Sequence, residues 1–131
     1  MAAFALINVM VYEDLSYRVI GCCMAVHNSL GCALLEQCYH NALFYELAAA
    51  GLDVEYNMPF TVRYRNQIVG EYFADLVVEG KIIIELKSVG KLVEIHMAQL
   101  LNYLHIAKCR LGFLVNFQPV DLEWKRMALS G

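Results

Sequence analysis

Apolar and polar residues follow two different periods along the chain, one typical of helices and one typical of strands. The predicted elements, in chain order, are a helix ending near residue 30, a helix over 34–50, strands over 54–64, 68–78 and 81–88, a helix over 93–107 and a strand over 111–117. Hairpin strands followed by a crossover helix and a further strand imply a mixed sheet with helices packed on it. The sequence therefore predicts an α/β (α+β) fold in the order α-α-β-β-β-α-β.

Local signals indicate where these elements begin and end. Asp14 or Ser16 is suited to cap the first helix, and Gly51 follows the second. Asn66 and Gly80 fall between strands, where turns are expected. The last stretch, LEWKRMALS, is ambiguous and fits no single element.

The segment KIIIELKSV, residues 81–89, combines an apolar run with two charges. Side chains alternate across a strand, so Ile82, Ile84 and Leu86 share one face. Glu85 and Lys87 lie on the other face, together with Ile83. The strand is thus predicted to have one face for the core and one face that carries charge.

The preceding strand also has an acid on one face. Alternation predicts two faces for this strand. The apolar face consists of Tyr72, Ala74, Leu76 and Val78, and the opposite face, which contains the acid, consists of Phe73, Asp75 and Val77. A two-residue loop at Glu79-Gly80 would send Asp75 away from Glu85. A three-residue loop with Gly80 in the left-handed conformation places Asp75 opposite Ile83 and diagonal to Glu85, about 7–8 Å away at the backbone. We predict this bulged turn.

Length and composition limit the architecture. The 131 residues are 60% hydrophobic and 18% charged, as expected for a single folded domain over 1–131, with an N-terminal arm over 1–13 and a C-terminal extension over 118–131. No apolar run approaches the roughly 20 residues of a membrane helix, so no membrane is expected. The mean hydropathy of +0.48 is high for a soluble monomer, which favours a homodimer or a protein partner. The apolar start has no basic residue before it, so we expect an ordered arm rather than a signal peptide.

The cysteines and the net charge indicate compartment and partners. Five cysteines without a C-x-x-C pair argue against a disulfide framework or a zinc site, so we expect buried thiols in a reducing, cytoplasmic setting. The less favoured alternative is a metal site formed by Cys32 and Cys38 together with His27 and His40. The net charge of −3 and pI of about 5.7 imply that any nucleic-acid binding is local and metal-assisted.

Two acids on one half-buried face favour a bound cation. They repel each other and lose hydration, which costs several kcal/mol per ion unless a charge compensates. Oxygen ligands without thiolates favour Mg²⁺ or Mn²⁺ over zinc. Lys87, on the same face, would direct an ammonium group at the anion that the metal holds. The alternative is a Glu85–Lys87 surface pair on an edge strand, with Asp75 merely solvated.

Two helices carry polar stripes that can reach the same site. On the helix after the E-x-K strand, His96, Gln99 and Tyr103 form a stripe beside the core residues. On the second helix, Glu36 lies in the first turn, where the helix dipole favours an anion, and shares a face with His40. A solvated face and an ordinary N-terminal glutamate are the alternative interpretations.

These residues resemble a known family. Asp75, Glu85-Leu86-Lys87 and the later Gln99 and Tyr103 resemble the PD-(D/E)XK nuclease superfamily, and the Gln-x-x-x-Tyr helix is similar to that of its RecB-like exonuclease branch. More narrowly, the stretches VHNSLGCALLEQCYHNAL, VGEYFADLVVEGKIIIELKSV, AQLLNYL and LGFLVNF are similar to the bacterial GxxExxY family. The resemblance runs from about Leu15 to Arg126.

The resemblance implies a restriction-endonuclease-like core and a site that binds Mg²⁺. Asp75 and Glu85 would be metal ligands, with the carbonyl of Leu86 as a third, and Lys87 would be the catalytic lysine. Glu36 matches an acidic residue that assists the metal site. Gln99 and Tyr103 match the helix motif that supports the site, and together with His96 they are the candidates for nucleic-acid binding.

Two positions depart from the family pattern. Ala74 precedes Asp75 where the superfamily's name has proline, a minor substitution. Ala33 replaces the first glycine of the GxxExxY motif, so a turn that needs positive φ would be strained or would differ.

The leading hypothesis is a metal-dependent nuclease, acting on DNA rather than RNA. One alternative is a regulatory or nucleic-acid-binding module of the same fold that lost cleavage, which the acidic pI supports. Another is a subunit of a toxin–antitoxin, repair or defence assembly whose apolar surface binds a partner.

Overall fold

The structure, a computed structural model, describes residues 12–129. Helix α1 spans Glu13–Leu30, α2 spans Glu36–Ala49 and α3 spans Glu94–Ala107. The strands are β1 Val54–Tyr64, β2 Gln67–Val78, β3 Ile82–Lys87, β4 Leu111–Asn116 and β5 Glu123–Ala128. Each predicted element is present, and β5 accounts for the stretch that the sequence left ambiguous. The predicted arm falls mostly on residues 1–11, outside the described residues.

The strands form one mixed sheet. Their order is β1-β2-β3-β4-β5, with β3 and β4 parallel and the other neighbours antiparallel. Helix α3 connects the two parallel strands, as a crossover connection requires. The predicted mixed sheet is confirmed.

The sheet separates two apolar cores. Helices α1 and α2 pack on one face, against Ile82, Ile84 and Phe113 among others. Helix α3 packs on the other face, where Leu100 and Leu104 meet Ile83 and Leu114. No helix among residues 12–129 is long and apolar enough to cross a membrane.

Two local predictions about α1 and the thiols were wrong. The helix begins at Glu13 with Tyr12 at the N-cap, so Asp14 and Ser16 lie inside it and cap nothing. Ser16 is buried within the first turn, and its hydroxyl has no hydrogen-bond partner. Cys22, Cys23 and Cys109 are buried as expected, but Cys32 and Cys38 are exposed because the turn and the first turn of α2 that carry them face solvent.

The faces of β2 also differ from simple alternation. Tyr72 and Ala74 belong to the core on the α3 side, together with Val77, whereas Leu76 belongs to the other core. The β1–β2 ladder passes from Tyr56 opposite Leu76 to Met58 opposite Ala74. Between them Asn57 has a φ of 50°, a left-handed conformation that breaks the alternation. Both strands therefore exchange faces at this point.

The turn between α1 and α2 contains the residue expected to be strained. Ala33 has a φ of 64°, in the left-handed region that favours glycine. The Tyr39 hydroxyl, fully buried, donates to the Gly31 carbonyl at 2.7 Å and accepts from the Leu34 amide at 3.0 Å. These two bonds hold the turn in place, so the strain at Ala33 is tolerated rather than relieved.

Replacing Ala33 with glycine should stabilise the protein. Relief of the left-handed alanine is expected to raise the free energy of unfolding by about 1 kcal/mol. Urea denaturation measures this change. Ala48→Gly is the matched control: Ala48 lies exposed inside α2, so the same substitution should lower the free energy by about 0.5–1 kcal/mol. Equal destabilisation by both substitutions would contradict the strain at Ala33.

Candidate active site

The candidate site lies where the β2–β3 ladder ends. The turn between the strands has three residues, 79–81, and Gly80 has a φ of 63°, so the predicted bulged turn is confirmed. The predicted register was wrong by two residues, because Val77 rather than Asp75 lies opposite Ile83. The last ladder pair is Leu76 with Ile84, and Asp75 and Glu85 come next on each strand. The two acids are therefore direct rather than diagonal neighbours.

Carboxylates replace the ladder bonds beyond that pair. The Asp75 amide donates to Glu85 Oε2 at 3.0 Å, and the Leu86 amide donates to Asp75 Oδ2 at 2.8 Å. Each carboxylate thus accepts a hydrogen bond from a backbone amide of the opposite strand. This exchange holds both side chains between the strands and fixes their positions relative to the sheet.

Burial dominates the electrostatics of the pair. Glu85 is only 8% exposed. Burial, and then the nearby charge of Asp75, raises the pKa of Glu85 to about 8, against hydrogen bonds from Asp75 and Tyr72 that lower it. Keeping both carboxylates ionised in this buried position is therefore costly unless a positive charge compensates them.

Helix α2 contributes two side chains beside Asp75. The His40 Nε2 donates to the Asp75 carbonyl at 2.8 Å, and its ring stacks on Tyr56 with centroids 4.2 Å apart. Glu36 opens α2, where burial and then the charge of Asp75 raise the pKa of its carboxyl group. The structure places Glu36 within electrostatic range of Asp75. His40, which was predicted to share a face of the helix with Glu36, is a further neighbour of Asp75.

Lys87 ends β3 and faces the same region. Its charge lowers the pKa of the Glu36 carboxyl group, opposing the effect of Asp75. Its carbonyl accepts a hydrogen bond from the Phe117 amide at 3.0 Å, which ties the strand end to the residue after β4. The lysine is half-buried, and its charge acts on Glu36 at the start of α2.

Tyr72 is the site residue that the sequence prediction missed. Its hydroxyl donates to Glu85 Oε1 at 2.9 Å, and its ring stacks on Tyr103 of α3 with centroids 3.8 Å apart. Simple alternation placed Tyr72 on the opposite face, and the exchange of faces in β2 between Ala74 and Leu76 brings it to the acids. The raised pKa of the Tyr72 hydroxyl, caused by burial and then by Glu85, keeps it a proton donor.

The polar stripe of α3 divides into separate roles. Tyr103 supports Tyr72 by stacking, and burial followed by the charge of Glu85 raises the pKa of its hydroxyl. His96 Nδ1 accepts a hydrogen bond from the Val93 amide at 3.1 Å, which occupies that nitrogen at the helix start. Gln99 is exposed on the helix surface.

The donor set suits a hard divalent cation. Among residues 12–129 no group of three or more His, Cys, Asp or Glu side chains is arranged to hold a metal ion. Mg²⁺ is typically held by one or two carboxylates, together with water and substrate phosphates. Asp75 and Glu85 supply two carboxylates, and the Leu86 peptide lies against them. A cation bound there would compensate the two buried negative charges.

Removing the Tyr72 hydroxyl should change how the site titrates. Tyr72→Phe keeps the ring stack but leaves Glu85 Oε1 without its donor, so the pKa of Glu85 should rise further. Divalent-cation affinity at pH 7 is then expected to fall about three- to tenfold and to recover in part above pH 8.5. Calorimetric titration with Mn²⁺ across pH measures this shift. Tyr103→Phe, which keeps the same stack, is the control, and an equal pH shift in both variants would contradict a specific role for Tyr72.

Comparisons with known proteins identify a family and a similar fold. Residues 13–127 match the model of a family described as the PD-(D/E)XK nuclease superfamily. No curated protein sequence matches the chain. The chain is similar to a solved structure, the crystal structure of SSO0001, with a TM-score of 0.60 and 18% sequence identity over 92% of this chain and 61% of that one. At this identity the likeness shows the fold alone, and the chain spans about three fifths of that protein's length.

The fold and the family agree with each other. A five-stranded mixed sheet flanked by helices is consistent with a restriction-endonuclease-like fold, so the predicted fold class is confirmed. The family match covers nearly all of the described residues. On that evidence the chain belongs to the PD-(D/E)XK nuclease superfamily.

Proposed function

We propose that this protein is a metal-dependent nuclease that hydrolyses phosphodiester bonds in nucleic acid, in DNA rather than RNA. The observation that carries the proposal is the convergence of Asp75 and Glu85 at the end of the β2–β3 ladder, with Glu36 and Lys87 beside them. Members of this superfamily are generally nucleases. An acidic pair can hold a divalent cation, and a lysine beside it can stabilise negative charge on a phosphate, which together support hydrolysis of a phosphodiester.

Asp75, Glu85 and the Leu86 carbonyl would hold the cation, Mg²⁺ or Mn²⁺. When bound, a divalent cation neutralises negative charge on the substrate and lowers the pKa of a water molecule. The hydrogen bonds from the Leu86 and Asp75 amides keep the two carboxylates aligned before any ligand arrives. The protein therefore has little reorganisation to make when substrate binds.

Lys87 and Glu36 would act on the substrate side. The Lys87 ammonium group would stabilise the negative charge that develops on the phosphate oxygens. Glu36, whose pKa is raised by burial and by Asp75, would orient the attacking water by accepting its proton in a hydrogen bond. Gln99 and His96 on α3 would contact nucleic acid, and Tyr103 would support them through its stack on Tyr72.

We also propose a closer assignment to the GxxExxY family and to the RecB-like branch. Glu36 and Tyr39 keep the spacing of the GxxExxY motif, and Gln99 and Tyr103 keep that of the helix motif. The Tyr39 hydroxyl, which closes the inter-helix turn, supplies a structural reason for that tyrosine. The five free cysteines support a cytoplasmic setting, and exposed apolar side chains such as Tyr17 and Leu35 support a homodimer or a protein partner.

The test is cleavage of a panel of end-labelled substrates. Duplex DNA, single-stranded DNA and RNA are incubated with the wild-type protein or with Asp75→Asn, in Mg²⁺, in Mn²⁺ or with chelator. We expect cleavage of DNA by the wild type that needs a divalent cation and is lost in Asp75→Asn. Binding of the substrates without cleavage under every condition would instead support the regulatory module. Equal cleavage by both proteins would remove Asp75 from the mechanism.

A further inference from the structure

The β1–β2 hairpin extends beyond the rest of the sheet. Its ladder runs from Val54 opposite Val78 to Tyr64 opposite Gln67, whereas the β2–β3 ladder stops at Leu76. Every residue over 63–71, here called the hairpin tip, is exposed. At the base of this segment Phe60 and Val62 pack against the core on the α3 side. The tip is therefore a two-stranded ribbon anchored at its base and free of neighbouring strands.

The hairpin tip is basic in an acidic chain. It contains Arg63, Arg65 and one acid, Glu71, for a formal charge of +1, whereas the whole chain carries −3. The Arg65 guanidinium carbon lies 5.2 Å from the centre of the Tyr64 ring, a cation–π distance. Basic side chains interleaved with an exposed aromatic ring are suited to phosphates and bases rather than to an acidic protein surface.

The shape of the tip is preformed. Arg65 and Asn66 both have positive φ, 48° and 64°, as in the tight turns that match the twist of a hairpin. The register shift between Val62 and Arg63 leaves Val69 unpaired, a bulge that increases the local twist. A twisted two-stranded ribbon has the width that the major groove of B-DNA admits.

The tip and the acidic pair share strand β2. Asp75 lies eight positions after Gln67 on the same strand. At a rise of about 3.3 Å per position, the distance between the two residues is at most about 26 Å. That length corresponds to about seven to eight base pairs at about 3.4 Å each. A duplex whose phosphate lies at Asp75 can therefore run along the hairpin as far as the tip.

We propose that the hairpin tip is an arm that binds duplex DNA in the major groove, up to about eight base pairs from the phosphate at Asp75. Arg63 and Arg65 contact phosphates, and the exposed Tyr64 and Ile68 contact the groove without reading sequence. The arm thus adds affinity and orientation to the contacts proposed for Lys87, His96 and Gln99 in a chain that is acidic overall. This inference rests on the proposed function, because it takes the position of the cut from Asp75.

The test compares two double variants with the same loss of charge. Arg63→Gln with Arg65→Gln removes the tip's charges, and Lys125→Gln with Arg126→Gln removes two exposed charges from β5 at the opposite edge of the sheet. Fluorescence anisotropy in chelator, where no cleavage occurs, gives the Kd of a 24-base-pair duplex as a function of salt. We expect the tip variant to bind about tenfold or more weakly and to lower the slope of log Kd against log salt by about two, with little change in the control. Equal binding of the duplex by both variants would contradict the proposal that the hairpin tip binds DNA.

Two further readings separate this proposal from its rivals. If the nuclease activity fails, no variant cleaves, but the dependence of duplex binding on the tip remains. If only the arm fails, cleavage persists and the tip variant binds like the control. Light scattering addresses a dimer: loss of a dimer in the tip variant, with duplex binding unchanged, would assign the tip to self-association and contradict the proposal.

Discussion

Replacing Lys87 with alanine is expected to slow phosphodiester cleavage by at least about a hundredfold, because one positioned charge at the developing anion is typically worth that much. The strand end that carries Lys87 is tied to Phe117, so the substitution should not disturb the backbone. Loss of the ammonium group also removes the charge that lowers the pKa of Glu36. The rate is expected to fall while the Mn²⁺ affinity changes less than about threefold, since the lysine is not a proposed ligand.

Single-turnover cleavage of labelled duplex DNA measures this effect. Lys91→Ala, which removes an exposed lysine four positions along the chain, is the matched control and should cleave like the wild type. Lys87→Arg keeps the charge but changes its geometry, so an intermediate rate is expected. A wild-type rate in Lys87→Ala would exclude the lysine from the chemistry while leaving the acidic pair untested by this variant.

Replacing Glu85 with glutamine is expected to change function and stability in opposite directions. Glutamine can still accept from the Asp75 amide, but it cannot carry the charge that a cation requires. Divalent-cation affinity should therefore fall more than about a hundredfold. In metal-free protein at pH 8 the same change removes a buried charge beside Asp75, so the free energy of unfolding should rise by roughly 2–4 kcal/mol.

The pH dependence of stability follows from the raised pKa of Glu85. Because that pKa is about 8 in the folded protein and about 4.5 when unfolded, the folded state binds more protons between these values. In metal-free protein the contribution of Glu85 to the free energy of unfolding should be fully present below about pH 4.5. It should be lost as the pH rises to about 8, and the free energy of unfolding should then fall by up to about 1.4 kcal/mol per pH unit. Urea unfolding from pH 5 to 8 measures the slope. Glu85→Gln should flatten it, and the same slope in the variant would show that another group titrates.

Much of this site could be predicted from the sequence because alternation and turn chemistry are local. Gly80 requires a positive φ in a short loop, and the three-residue turn that follows puts Asp75 and Glu85 on facing strands. Glu36 could be placed because it opens a helix, where an acid is favoured. The predicted register was wrong by two residues, because the three loop residues are 79–81, whereas Asp75 opposite Ile83 would need a loop of 78–80.

What could not be predicted depends on contacts between distant residues. Tyr72 reaches Glu85 because β2 exchanges faces between Ala74 and Leu76, opposite Asn57 of β1, which has a positive φ. Nothing in the local sequence of β2 signals that change. Ala33 is a similar case: its strained conformation is held by the Tyr39 hydroxyl, a side chain in the next helix. Tertiary contacts override local preference at both positions.

The central claim, that Asp75 and Glu85 form a divalent-cation site, is tested most directly by crystals soaked in Mn²⁺. Anomalous scattering locates the ion without reference to activity. We expect a peak about 2.1 Å from a carboxylate oxygen of each acid, with the Leu86 carbonyl as the third protein ligand, and no peak there in crystals of Glu85→Gln. Saturating Mn²⁺ with no peak between the two acids, or an ion bound only elsewhere, would contradict it.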